Sequence, residues 1–385
     1  MASTLRAAAC HVSPVFLSAR STTDKCLSLI HQAAKNEANV VAFPESFIPA
    51  FPLWSSLRPP TANHDFFEAM AKESIYADGA EVRAIQHAAK QHKVAVSIGI
   101  SEKVRYSNAT LFNSNLIIND DGNTLVHHRK LMPTFFEKLT WSPGDGHGLR
   151  VADTRSGRIG NLICGENTNP LARYTLMAQR EQLHISTWPA VWPTRSPNFG
   201  VASTGQQENT KTNVPPQQPR NEGANYDNVT ANRTRAAAHC FEAKCFGMLC
   251  SGVLDQAAID TVTSGSADPA AMAAFFEASP RGVSMFLDPT GAPLPGFTVD
   301  QDGKQIPTEY LQDKEGILYA DMDIERCIEG KQYHDVVGGY QRFDIFELKV
   351  DRSRKEPVVF TDETRGQVRD EEGAAREPGR DLSRL

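Results

Sequence analysis

Two hydrophobic rhythms take turns along this chain. Leu5–Val12 is a short β-prone run, Thr22–Ala38 then sets Cys26, Leu29, Ile30, Ala33 and Ala34 at helical spacing, and Val40–Phe43 is apolar throughout. That order reads strand, helix, strand. A second unit follows, with a helix predicted over Ala80–Gln91 and a buried strand over Val94–Ile100, while Asn115–Asn119 and Thr124–His128 flank the Asp120–Asp121–Gly122–Asn123 turn as a hairpin. Gly157–Ile163 is the next strand and ends at Cys164. The pattern then predicts a helix over Pro170–Gln182, a strand over Leu183–Trp188, a helix over Arg233–Phe246 and strands over Gly247–Val253, Arg281–Leu287 and Gly316–Asp323. Alternation of this kind, with no internal repeat and no clear linker, favours one α/β domain spanning residues 1–349.

Two stretches break the rhythm. From Arg195 to Asn232 the chain is rich in Asn, Gln, Thr, Pro and Gly with few large apolar residues, so a loop insertion is expected at about 195–232, either crossing between subunits or without fixed structure. Beyond Lys349 mixed charge is dense and aromatic residues almost vanish after Phe360, so residues 350–385 are expected to form a mobile tail.

Composition narrows the class. Of 385 residues, 40 are Lys or Arg and 46 are Asp or Glu, a net charge of −6 that lacks the positive excess a phosphate backbone demands. Nucleic acid is therefore not expected as a partner. The longest apolar runs fall far short of the roughly 20 residues that span a bilayer, and Met1–Ala9 has no apolar core of a secretory signal, so a cytoplasmic location is expected. The three N-x-S/T sequons, at Asn108, Asn228 and Asn232, carry no weight in that setting. Seven scattered cysteines, an odd number, point to free thiols in a reducing compartment.

Several chemistries are missing their signatures. No phosphate-binding loop or serine elbow occurs, and Gly144-Asp145-Gly146-His147-Gly148 lacks the spacing of a dinucleotide fingerprint. Cys240, Cys245 and Cys250 are five residues apart, wider than the usual zinc spacing, and are expected in a helix-to-strand core segment, with no metal site. His127 and His128, adjacent on a strand, face opposite sides and are expected to be structural.

Three reactive or costly residues stand at three strand ends, where an open α/β sheet places its active site: Glu45 after Val40–Phe43, Lys130 after Thr124–His128, and Cys164 after Gly157–Ile163. Taken singly, each has an ordinary explanation as a cap, a solvated charge or a small core residue. Taken together, Phe43-Pro44-Glu45-Ser46-Phe47, His128-Arg129-Lys130-Leu131-Met132-Pro133-Thr134 and Leu162-Ile163-Cys164-Gly165-Glu166-Asn167 resemble the three catalytic blocks of the nitrilase superfamily. Asn169-Pro170-Leu171-Ala172-Arg173-Tyr174 and His184-Ile185-Ser186-Thr187-Trp188-Pro189 resemble its nitrilase branch, as does Asp335-Val336-Val337-Gly338-Gly339-Tyr340, although the family usually has histidine where Gly339 stands.

The resemblance implies a four-layer α-β-β-α sandwich, paired through outer helices into homodimers or longer helical homo-oligomers and filaments. It also implies a nitrilase that turns a small-molecule nitrile and water into acid and ammonia through thioimidate and thioester intermediates. The residue types suit that chemistry. A nitrile carbon is a weak electrophile, so a soft thiolate is the apt nucleophile, and Cys164 supplies it. An isolated thiol, with a pKa of about 8.5, is mostly protonated at pH 7, so Glu45 is expected as base and Lys130 as the cation that pairs with it and opposes developing negative charge. No metal or organic cofactor is required. The family's second glutamate matches Glu137, expected to orient Lys130 and the substrate or water. Backbone N–H groups near Cys164 are further candidates for charge stabilisation, with Glu166 and Asn167 bracing the turn or capping the Pro170 helix. Gly165, Glu166, Asn167, Tyr174, Trp188 and Trp192 are the candidate pocket residues; at Gly165 the family often carries tryptophan, and its loss leaves room for an arylaliphatic or branched nitrile. Alternatives left open are an amidase or a nitrile- or cyanide-hydrating member of the superfamily, and a catalytically idle member that only assembles.

Overall fold

The computed structural model describes residues 4–193 and 227–358. Its strands, in chain order, are β1 (Thr4–His11), β2 (Val40–Ala42), β3 (Ala95–Lys103), β4 (Leu111–Ile118), β5 (Thr124–Arg129), β6 (Ala152–Thr154), β7 (Gly157–Ile163), β8 (Leu183–Trp188), β9 (Phe246–Ser251), β10 (Ser284–Leu287), β11 (Pro293–Leu294), β12 (Gly296–Val299), β13 (Gln305–Thr308), β14 (Tyr310–Leu311) and β15 (Gly316–Asp323). They form two sheets. One runs β13-β12-β15-β1-β2-β3-β4-β5; the other runs β11-β10-β9-β8-β7-β6, with β14 paired to β10. The centres of both are parallel: β1, β2 and β3 in the first sheet, β7, β8 and β9 in the second.

Period-two alternation decides what each strand buries. In β1, Ala7 and Ala9 join Val40, Ala42, Ile159, Ile185, Phe246 and Met248 in a core built from both sheets, which is the seam of a sandwich. Ala8 and Cys10 point the other way, into a core shared with α1 (Ala19–Lys35) and, after α2 (His64–Glu73), with α3 (Ala80–His92). On the far side, Leu162 packs on α4 (Pro170–Met177), and Leu249, Met285 and Leu287 pack on α5 (Asn228–Ala243). The layers are therefore α-β-β-α, as expected. Contacts group Met1–Arg352 as one compact unit and Ser353–Leu385 as another.

Element ends depart from the hydrophobic pattern where caps set them. Ser18 accepts from the Ser21 N–H, so α1 starts at Ala19, before Thr22. Asp227 accepts from the Val229 N–H, so α5 starts at Asn228, five residues before Arg233, and the end of the expected insertion is helical. The rest of that stretch, from 195 to 226, lies outside the described residues, as does 359–385 of the expected tail. Helix α4 stops at Met177, short of Gln182, because Arg180 turns left-handed and the chain then sends Glu181 inward. The hydrophobic pattern predicts neither α2 nor the pair α6 (Gln256–Thr263) and α7 (Pro269–Ala278), both capped by aspartate. A short α8 (Arg326–Glu329) closes the helices. The spaced cysteines fall at the end of α5, beyond its cap and on β9, and all are buried and free.

Candidate active site

Glu45, Lys130 and Cys164 are all buried, and they converge. Glu45 sits three residues past β2, on a loop that packs so closely against β3 that a Cβ on Gly99 would lie 2.3 Å from the Pro44 carbonyl oxygen; only glycine permits that approach. Lys130 follows β5, where its N–H donates to the Asn113 carbonyl and its own carbonyl accepts from the Gly144 N–H. Cys164 ends β7 at φ +52°, a left-handed turn that opens a 3-10 segment, Cys164–Thr168, and costs a non-glycine residue strain.

Lys130 is the hub of the cluster. Its Nζ donates to Glu45 Oε1 at 2.7 Å and to Glu137 Oε1 and Oε2 at 2.8 and 2.7 Å. Glu45 Oε1 also accepts from Asn113 Nδ2 at 2.7 Å, while Glu45 Oε2 is buried with no partner. Carboxylate oxygens of Glu45 and Glu137 and the Cys164 sulfur lie within 4.8 Å of one another. Such a group has metal-ligand spacing, but the Lys130 ammonium already holds both carboxylates.

Burial dominates the electrostatics here. It pushes Glu45 above the usual carboxylate range against the pull of Lys130, and it pushes Glu137 up to about 7. The Cys164 thiol is raised, first by burial and then by Glu45, with Lys130 opposing. Burial works against the charge on Lys130 too, yet Glu137 and Glu45 outweigh it and hold the lysine above its ordinary value. Two acids share one ammonium, so one carboxyl of the set retains proton affinity near neutrality.

The turn is braced from beneath. Glu166 accepts from the N–H groups of Leu131 (2.7 Å) and Ile163 (2.8 Å), joining the residue after Lys130 to the residue before Cys164, and pairs with His128 at 2.9 Å. That pairing, with Coulombic help, holds Glu166 below the usual range although burial pushes it up. Asn167 Nδ2 donates to the carbonyls of Leu162 and Cys164. Both side chains are buried bracing groups and are not among the residues that line the cavity beside Cys164. Neither caps the Pro170 helix; Asn169 does. His127 bonds Glu102 while His128 bonds Glu166, so the two histidines do face opposite sides and hold structure together.

The cavity beside Cys164 is lined by Trp188, Pro189 and Trp192 and by Asn228, Asn232 and Arg235. The last three lie at i, i+4 and i+7 on α5, one helical face that their spacing encodes, although in the sequence Asn228 and Asn232 stand out only as sequons. The Trp188 indole nitrogen is buried without a partner, and Trp192 stacks on Phe136 at 4.5 Å, with Phe51 edge-on to both. Gly165 abuts Thr134, whose Oγ1 would stand 3.0 Å from a Cβ there. Tyr174 is elsewhere: it lines an outer groove with Leu171, Val336 and Phe343, because α4 turns that face away from the nucleophile. Gly339 is exposed, near Asp335 and open to solvent.

Comparisons with known proteins show which family the chain belongs to. The family profile described as "Carbon-nitrogen hydrolase" matches residues 6–332. The chain is 32% identical to "Nitrilase, bromoxynil-specific" from Klebsiella pneumoniae subsp. ozaenae, over 93% of this chain and 88% of that protein. It is 30% identical to "Arylacetonitrilase" from Aspergillus kawachii (93% and 95%) and 29% identical to "Aliphatic nitrilase" from Rhodococcus rhodochrous (92% and 82%). Among solved structures it resembles a carbon-nitrogen hydrolase from Helicobacter pylori, at a TM-score of 0.59 and 18% identity over 86% of this chain and 93% of that one. Nit3 of Saccharomyces cerevisiae gives 0.58 and 17% over 89% and 97%. Those two likenesses bear on the fold. No helix among the described residues is long and apolar enough to cross a membrane.

Proposed function

The chain belongs to the carbon-nitrogen hydrolase family, in its nitrilase branch, and on that premise we propose that it hydrolyses an organic nitrile to the carboxylic acid and ammonia through a covalent adduct on Cys164. The observation that carries this reading is the unpartnered Glu45 Oε2 within a cluster that also holds the Cys164 sulfur. A buried acceptor with no donor is where a thiol proton goes. Sulfur then attacks the nitrile carbon; the C–S bond forms, one C–N π bond opens, and nitrogen receives the proton, giving a thioimidate. Lys130 opposes the charge that gathers on nitrogen. Water, deprotonated by Glu45, adds to the same carbon and its proton passes to nitrogen; as the C–N bond breaks, the hydroxyl of the tetrahedral intermediate gives up a second proton to nitrogen, so ammonia leaves and a thioester remains. A second water breaks the C–S bond, releases the acid and restores the thiol. Glu137 holds Lys130 in register and, with its carboxyl near 7, shares the proton traffic.

The named relatives are, by their names, a bromoxynil-specific nitrilase, an arylacetonitrilase and an aliphatic nitrilase, so the side chain must be argued from the pocket. Trp188 and Trp192 line the cavity, with Phe136 and Phe51 packed behind Trp192, and favour an apolar substituent; the resemblance, in which glycine replaces a tryptophan at 165, adds the expectation of a branched or arylaliphatic one. On this reading residues 1–349 are the catalytic domain, and homodimers or longer helical assemblies are its working form. Ammonia release from a nitrile panel, with the acid and amide quantified, tests the proposal: acid should dominate and phenylacetonitrile should outrun acetonitrile. Equal rates on both would refute the substrate class. Amide as the sole product would refute the reaction.

A further inference from the structure

A second titratable cluster lies behind the nucleophile, and the mechanism above does not use it. Glu181, His184 and His239 are all fully buried. Glu181 Oε1 faces His184 Nδ1 at 2.8 Å, Oε2 faces His239 Nε2 at 2.6 Å, and the two imidazoles stack at 3.7 Å. A Cβ on Gly160 would stand 1.9 Å from Glu181 Oε1, so glycine there makes room for the carboxylate.

The protons can be counted. Asn167 Nδ2 lies 3.2 Å from the Leu162 carbonyl oxygen and 3.0 Å from that of Cys164, and carbonyls only accept, so the nitrogen faces them. Flipping the amide would set oxygen against two oxygens. The amide oxygen of Asn167 is therefore an acceptor, taking the Ser186 hydroxyl at 3.0 Å and facing His184 Nε2 at 2.9 Å. His184 Nε2 must carry hydrogen. Its other nitrogen faces a carboxylate, which wants a donor as well.

We propose that His184 is a buried imidazolium, protonated on both ring nitrogens, paired with the Glu181 carboxylate, and that it acts as a positioning residue by locking Asn167, which in turn holds the backbone at Cys164. Buried charge persists only when paired and hydrogen-bonded, and this pair meets both conditions. Burial would raise Glu181, yet the two histidines hold it down at about 2. Burial, with His184 next, lowers His239 to about 4, as expected of a neutral ring stacked on a charged one. The other ionisable groups around the cluster are Arg173 on α4, which opposes charge on His239 and is itself paired to Glu242, and the thiol of Cys245 beyond α5. His239 also ties the network to α5, one and two turns beyond Arg235 and Asn232 of the cavity wall. The nucleophile's turn and one wall of the pocket thus share one brace.

Magic-angle-spinning spectra of the whole enzyme labelled with nitrogen-15 histidine test the protonation state independently of any reaction, and so independently of the nitrilase reading. At pH 8 the spectrum should hold an imidazolium with hydrogen on both nitrogens, which disappears in His184→Gln. Should that variant not fold, Ser186→Ala, which alters only a neighbour of the ring's partner, assigns the signal by shifting it. A bare nitrogen on His184 overturns the proposal. For the positioning role, the near-isosteric Asn167→Asp removes the two donors and should lower kcat about 100-fold, the cost of a roughly 1 Å misplacement, with KM within about threefold. Matched falls in yield and melting temperature with an unchanged kcat per folded enzyme would reduce Asn167 to scaffolding and overturn the role.

Discussion

Two buried acid–base clusters flank Cys164, one beside its sulfur and one joined to its backbone through Asn167, and burial has opposite outcomes in them. In the Glu45–Lys130–Glu137 cluster two carboxyls compete for one ammonium, both are pushed upward, and one oxygen has no partner. In the Glu181–His184–His239 cluster one carboxylate has two ring donors, and it is pulled down to about 2. Equal burial thus gives a group ready to exchange protons in one place and a locked ion pair in the other. What separates chemistry from scaffolding is the ratio of donors to acceptors, more than depth in the protein.

Substitutions that erase the first cluster should have the largest effects. Cys164→Ala is expected to lower ammonia release by at least about 10⁴-fold while the melting temperature stays near wild type, since a nucleophile cannot be replaced by its neighbours. Lys130→Met should cost about 10³-fold in kcat/KM, because two buried acids then face the reacting nitrogen without a cation. Glu137→Gln should cost about 10²-fold in kcat, the scale of a positioned acid–base group. The same variant carries a stability signature. A carboxyl raised to about 7 keeps its proton in the native state where the unfolded chain has lost it, so wild-type stability falls as pH rises from the ordinary carboxylate range to about 7. Glu137→Gln should flatten that slope in melting temperatures measured across the window.

The second cluster predicts the smaller effect, with the opposite sign. His239, lowered to about 4, stays neutral in the native state while the unfolded chain takes up a proton from about pH 6.5 downward, so wild-type stability should drop as pH falls between about 6.5 and 4. His239→Gln should make that loss shallower. A steeper loss in the variant would show that the two clusters do not differ as described.

The alternation of strands and helices was legible because period-two runs end in helical spacing again and again, and β7, β8 and β15 fall where the runs predict; the four layers were implied by the family resemblance. Helix ends were less legible, since Ser18 and Asp227 set them by side-chain capping that hydropathy does not register. Glu45, Lys130 and Cys164 stood out as odd residue types at strand ends, and it was the resemblance of their three blocks to the nitrilase superfamily that implied base, cation and nucleophile. Their partners could not be read: Asn113 reaches Glu45 across 68 residues and His239 reaches Glu181 across 58, and no local spacing encodes such pairs. That Tyr174 lines an outer groove was illegible for a related reason, because proximity to Cys164 along the chain says nothing of which face α4 turns outward.

Mass analysis of the enzyme stopped in acid during turnover of a nitrile tests the covalent role of Cys164 most directly. An acyl or imidoyl mass should appear on the peptide carrying Cys164, and on no peptide of Cys164→Ala. Wild-type ammonia release by Cys164→Ala, or an adduct on another of the seven cysteines, would contradict it.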